Sequence, residues 1–227
     1  MAIENMKNMR NKIAFFHTTT TTVQMLKQAF EKRYPNEQLI TMVDDSILPE
    51  VLENGNQPTP DILRRLILYG QVAQEQGARV FVCMCTTLGL ALRKAQEALI
   101  IPMISIDQPM LQEAVQKGDR IALLITFAPT ADISRETALA FAADIDRDVK
   151  VDVILAKGAR EALNQGDKDT HDRIIAETAQ NIASEYDLLV FAQVSMTDAA
   201  KICMERGMKV LYALDSGLEQ IDSYLEK

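Results

Sequence analysis

The sequence predicts an α/β protein made of two tandem lobes, each a parallel sheet covered by helices on both faces. Three observations predict it. Short β-rich apolar runs alternate with longer stretches whose apolar residues recur at helical spacing. That order of elements occurs twice along the chain. Polar side chains also fall just after the strands at matching places in the two halves.

Strands are expected, in order, at Lys12–Phe16, Leu39–Val43, Arg79–Met84, Ile101–Ile104, Ile121–Ile125, Val151–Leu155, Asp187–Ala192 and Lys209–Tyr212. Helical stretches lie between most of them. The segment 59-TPDILRRLILYGQVAQEQG-77 carries its own boundaries: Thr59 can cap the first turn, Pro60 suits the first helical position, and Gly77 closes the end. Lys12 opens the first strand and Cys85 follows the third, a spacing of 85 − 12 = 73. Arg120 opens the fifth and Gln193 follows the seventh, and 193 − 120 is again 73. The second half is thus offset by 108, which sets His17 and Thr18 against Ile125 and Thr126, Cys85 against Gln193, and Thr87 against Ser195. The lobes are expected at 1–116, with a polar arm over 1–11, and at 117–227, with a last helix at 213–227 free to pack back on the first lobe.

Composition narrows the function. Hydrophobic residues make up 48% and charged residues 25%, as in an ordinary globular protein with a real core. A formal charge of −8 without a clustered basic surface argues against nucleic acid as a partner, whereas a small anion needs only local donors. Three cysteines, Cys83, Cys85 and Cys203, are an odd set for a disulfide framework and suit a reduced, cytoplasmic setting. The N-terminal MAIENMKNMRNK is too polar for a secretory signal, and no apolar run has the length of a membrane span.

In open parallel sheets, ligands bind beyond the carboxyl ends of the strands, where helices begin. If the lobes face each other, both sets of strand ends line one cleft. The candidates are then His17, Thr18 and the threonines after them; Cys85, Thr86 and Thr87; Thr126 and Thr130; and Gln193 and Ser195. A cysteine at a helix N-terminus feels the positive end of the dipole, which favours the thiolate and makes it a base or nucleophile. Cys83, inside the strand, reads as core. The run 17-HTTTTTV-23 lacks the glycine and lysine of a phosphate-binding loop, and no G-x-G-x-x-G occurs. Its hydroxyls suit a carboxylate or phosphate group, or simply cap the next helix. His171 reads as a surface or capping residue near a helix start, and Asp44 and Asp45 as loop residues. Cys83 and Cys85 make a poor metal pair, so no metal is expected.

With these residues identified, the chain from Lys12 onward resembles the aspartate/glutamate racemase superfamily. The segments that carry the likeness are 85-CTTLG-89, 105-SIDQPM-110, 166-GDKDTHDR-173 and 191-FAQVSM-196. The resemblance implies flavodoxin-like lobes, cofactor-independent carbon-acid chemistry on a small carboxylate or amino acid, and a homodimer. It also implies two cysteines on opposite faces of a substrate α-carbon. The first would be Cys85; the second should stand at Gln193, where there is no thiol. An amide cannot exchange a proton at neutral pH, so a two-thiol racemase is disfavoured. Cys203 falls too far along the next helix to replace it. Single-thiol chemistry survives, either protonation after decarboxylation as in the arylmalonate decarboxylase type or isomerisation of an unsaturated acid. A racemase with another acid, such as His17, also survives, and so does a non-catalytic module that binds a small carboxylate. The hydroxyls of Thr86, Thr87, Thr126 and Ser195, with Thr18, would hold the carboxylate as it becomes enediolate-like.

Overall fold

The computed structural model describes residues 11–225; the arm expected at 1–11 lies, apart from Asn11, outside the described residues. Contacts divide the chain into two compact units. Ile106–Gln220 forms one, and the described residues on either side of it form the other.

The first unit opens with β1 (Lys12–His17), α1 (Val23–Arg33), β2 (Gln38–Val43), α2 (Ile47–Glu53), α3 (Pro60–Glu75), β3 (Ala78–Cys83), α4 (Gly89–Gln96) and β4 (Met103–Ser105). All strands are parallel, in the order β2-β1-β3-β4. Every residue of β1 after Lys12 is buried, whereas β2 at the sheet edge is half exposed. The continuous apolar runs therefore fall in the central strands, as two-sided burial requires. Strand β4 begins two positions later than the sequence suggests. Pro102 has no N–H to give a ladder, although its carbonyl accepts from the amide of Phe81 at 2.8 Å.

The second unit contains α5 (Gln108–Lys117), β5 (Arg120–Ile125), α6 (Ala131–Asp144), β6 (Lys150–Leu155), α7 (Ala159–Asn164), α8 (Lys168–Ile182), β7 (Leu188–Phe191), α9 (Thr197–Glu205) and β8 (Val210–Tyr212). Its sheet is again all parallel, in the order β6-β5-β7-β8. Helix α10 (Ala213–Leu225) starts in this unit, and its last residues count with the first. There Asp222 accepts from Arg33 and from the hydroxyl of Tyr34 at 2.7 Å.

The duplication holds at the level of register. Phe16 lies opposite Cys83 in one sheet and Leu124 opposite Phe191 in the other; 124 − 16 and 191 − 83 are both 108. Helix starts keep the same offset: Val23, Pro60 and Gly89, which open α1, α3 and α4, correspond to Ala131, Lys168 and Thr197, which open α6, α8 and α9. Even the caps match. Thr59 accepts from the amide of Ile62 at 3.2 Å, and Asp167 accepts from the amide of Thr170 at 3.0 Å, each satisfying one of the free amides at its helix start.

Close backbone approach fixes α10. A Cβ at Gly217 would lie 2.3 Å from Cδ1 of Ile106 and 2.6 Å from its carbonyl oxygen. At Gly70 the 2.3 Å neighbour is only the methyl end of Leu99, which can rotate away. Gly217→Ala is therefore expected to cost about 1–3 kcal/mol in urea unfolding, and Gly70→Ala distinctly less. Equal losses would contradict the backbone contact.

Candidate active site

In the first unit, pairing carries on past the end of β3: the amide of Met84 donates to the carbonyl of Phe16 at 2.8 Å. Cys83 points into the core and is fully buried, as its place in the strand suggests. Cys85 comes next but one, in extended conformation (φ −130°, ψ 109°), at the head of a 3₁₀ turn, Thr86–Leu88, that runs directly into α4. Its carbonyl accepts from the amide of Leu88 at 3.2 Å. Its Sγ lies 3.0 Å from Oγ1 of Thr87, and either atom can donate. When the sulfur is a thiolate, only the threonine can. Thr86 is half-buried; Thr87 and Cys85 are buried.

His17 closes β1. Its Nδ1 lies 3.2 Å from Oγ1 of Thr22, the residue before α1, and its buried Nε2 has no partner among the described residues. Burial lowers its pKa to about 4, so the ring is neutral at pH 7 and holds no imidazolium proton to deliver. That weakens its case as a second acid, though not as a hydrogen-bonding group. Thr18 follows, buried. Asp44, just past β2, accepts from the hydroxyl of Tyr69 at 2.9 Å and from Arg65 at 3.1 Å, and so ties the β2–α2 loop to α3. Asp45 is exposed.

The second unit uses its equivalent positions differently. The side-chain oxygen of Gln193 accepts from both the amide and the hydroxyl of Thr126, each at 2.8 Å. Its Nε2 donates to Oγ1 of Thr130 at 3.1 Å, and that hydroxyl donates in turn to the carbonyl of Phe127 at 2.7 Å. Three of the four hydrogen bonds an amide can make are thus taken, and one N–H of the fixed group is left over among the described residues. Ser195 lies buried in the 3₁₀ turn Val194–Met196, which runs into α9 as the Cys85 turn runs into α4.

Within each unit, then, most of the expected residues come together at the strand ends. Of the threonines expected after Thr18, Thr22 is the one that meets His17, and the offset of 108 pairs it with Thr130. Sequence reasoning misread His171. That residue is neither on the surface nor a cap: it is fully buried, its Nδ1 is 2.7 Å from Oδ1 of Asp172, and the capping is done by Asp167. The fourth residue of α8 shares its inward face with Ile175 and Ala179, and that spacing was the signal to heed. Among the described residues no group of three or more His, Cys, Asp or Glu is arranged to hold a metal, and no helix is long and apolar enough to cross a membrane.

Residues 16–220 match the family model described as Asp/Glu/Hydantoin racemase. The chain belongs to that family. A glutamate racemase from Gloeothece citriformis (strain PCC 7424) is 26% identical over 132 residues, which cover 57% of this chain and 45% of that one. The match thus spans less than half the length of this curated relative. Among solved structures, allantoin racemase from Klebsiella pneumoniae superposes with a TM-score of 0.70 at 14% identity, covering 95% of this chain and 88% of that one. A glycine-to-cysteine mutant of arylmalonate decarboxylase, in a sulfate-associated form, gives 0.59 at 16% identity, covering 94% and 92%. At such identities the superpositions speak to the fold alone. The fold they share with this racemase-family chain is the two-lobed α/β architecture.

A histidine whose folded pKa lies below its unfolded value near 6.5 weakens the fold as acid is added, because the unfolded chain takes up the proton first. The contribution of His17 is complete above about pH 6.5 and is lost on the way down to about pH 4. Between pH 7 and pH 5 the wild type is expected to lose about 2 kcal/mol more stability in urea than His17→Gln. A parallel loss in both proteins would show that the ring is not buried neutral.

Proposed function

We propose that this chain is a cofactor-independent carbon-acid enzyme of the racemase family, acting on a small carboxylate or amino acid through one thiol, that of Cys85. The observation that carries the reading is the contrast between equivalent strand ends. One bears a thiol paired to a threonine hydroxyl at the head of a helical run; the other bears an amide locked by Thr126 and Thr130.

Cys85 as thiolate takes the proton from the α-carbon, and the electron pair spreads onto the adjacent carboxylate. Thr87 steadies the sulfur before the transfer by donating its hydroxyl hydrogen. The growing charge on the carboxylate oxygens calls for fixed donors that need not reorient. In the unit that carries the thiol, the hydroxyl of Thr86 is of the right kind, and so is that of Thr18, just past the neighbouring strand. The same thiol, starting protonated, would quench the carbanion left by loss of carbon dioxide. The amide at Gln193 favours that decarboxylase-type second reading, since a reaction that protonates one face needs only one acid.

Loss of α-proton signal in D₂O, followed by proton NMR for aspartate, glutamate and alanine, tests the proposal. Wild type is expected to exchange at least one of them, and Cys85→Ser to exchange it about 10²–10⁴-fold more slowly. Undiminished exchange in Cys85→Ser would remove the thiol from the mechanism. Exchange of none, with a carboxylate still raising the melting temperature, would make the chain a binding module.

A further inference from the structure

The duplication exposes one position at which the second unit departs from its own plan. Pro60 and Lys168, the first residues of α3 and α8, are equivalent under the offset, and the caps before them, Thr59 and Asp167, match in position and in bonding. At the fourth residue of α3 stands Leu63, packed against the core; at the fourth residue of α8 stands His171, fully buried. A position filled by an apolar side chain in one copy holds an imidazole in the other.

The imidazole is oriented and half satisfied. Nδ1 faces Oδ1 of Asp172 at 2.7 Å, and Nε2 is buried with no partner among the described residues. Burial alone would raise the Asp172 carboxyl, but hydrogen bonds from His171 and Lys168 outweigh it and hold the group ionised, below the usual carboxylate range. An ionised carboxylate can only accept, so Nδ1 is the nitrogen that donates to Asp172, and Nε2 is the one left without a partner among the described residues. This is how a base is prepared: one nitrogen fixed, the other open.

The same cluster leads to the strand end. Lys168 bridges Asp172, at 2.5 Å, to Asp198, at 2.9 Å, in the first turn of α9. That turn follows at once on Gln193–Met196, and Met196 and Ala199 share a core cluster with Ala159 and Ile175 of α7 and α8. The start of α8 also lies on the carboxyl-end side of the sheet, because a helix that returns between parallel strands begins there.

We propose that His171, oriented by Asp172, is a proton-exchanging group of the second unit, performing the proton chemistry that the amide of Gln193 cannot. The inference rests on the carbon-acid reading above. In the step, Nε2 forms a bond to the α-hydrogen of the bound carboxylate and the C–H electron pair becomes the enediolate. The imidazolium keeps its Nδ1–H on Asp172 and returns the other proton in the reverse step, so no oxidant, reductant or metal enters the balance.

Two measurements test it, and the chain's two histidines keep them unambiguous. The first is diethyl pyrocarbonate labelling of the folded protein, resolved by mass spectrometry. Since Nε2 is buried, labelling reports an opening through which a ligand would reach it. His171 is expected to be labelled while the fold is intact, and about tenfold more slowly in Asp172→Asn, whose amide can donate to Nδ1 and move the hydrogen to Nε2. A His171 that stays unlabelled until the protein unfolds would be a structural residue, and the inference would fall. The second is α-proton exchange in D₂O with aspartate, glutamate and alanine. His171→Gln and Asp172→Asn should each lose about 100-fold with a melting temperature near that of wild type. Exchange at the wild-type rate in His171→Gln would overturn the inference and leave the thiol reading standing. Normal labelling of His171 with no exchange by wild type would sink the carbon-acid reading and support the open nitrogen alone.

Discussion

Parallel pairing of β1 with β3, and of β5 with β7, is the constraint on which the rest depends. Both pairs carry one hydrogen bond past the regular strand, Met84 to Phe16 at 2.8 Å and Ala192 to Leu124 at 3.2 Å. That last bond sets where the strand stops and the helical turn begins. The next residue in each unit, Cys85 or Gln193, is therefore held extended at the head of a 3₁₀ turn. Chemistry at these positions is inherited from a register, and the register is held by apolar strands buried on both faces.

Two copies of one plan let the polar departures be read against a background. Where the backbone repeats at 108, differences in side chain are choices rather than consequences of a different fold. Thr22 and Thr130 occupy equivalent places before α1 and α6, yet one hydroxyl meets His17 and the other meets Gln193. Leu26, fully in the core of the first unit, corresponds to Ser134, whose buried hydroxyl has no partner among the described residues. Buried polar groups without partners are costly, and a fold built on leucine at those sites has no need of them.

Much of this was legible in the sequence because it depends on local chemistry. The strands announce themselves by β-rich runs, α3 by Thr59, Pro60 and Gly77, and the duplication by equal spacings. The family likeness and the thiol after β3 follow from the same stretch, 85-CTTLG-89. What escaped depends on which way a side chain faces and what it meets. Gln193 reads as the absence of a thiol; only three-dimensional contacts reveal an amide fixed by two threonines, Thr130 and Thr126, from far back in the chain. His17 reads as a strand-end acid or base until burial is counted, and burial takes its charge. His171 reads as a surface residue because of its charged neighbours, yet the helix turns it inward beside Ile175 and Ala179, and only Nδ1 meets a charged neighbour, Asp172.

The account rests on Cys85 being the one working thiol of the chain. Alkylation by iodoacetamide, followed residue by residue in the folded protein by mass spectrometry, tests that most directly, since Cys83 and Cys203 are 0% exposed whereas Cys85, although it packs on the same core as Cys83, is 8% exposed. Preferential modification of Cys85, slowed when aspartate or glutamate is present, is the predicted result. If Cys85 reacted no faster than Cys83 and Cys203, it would be a third core thiol and the account would be wrong.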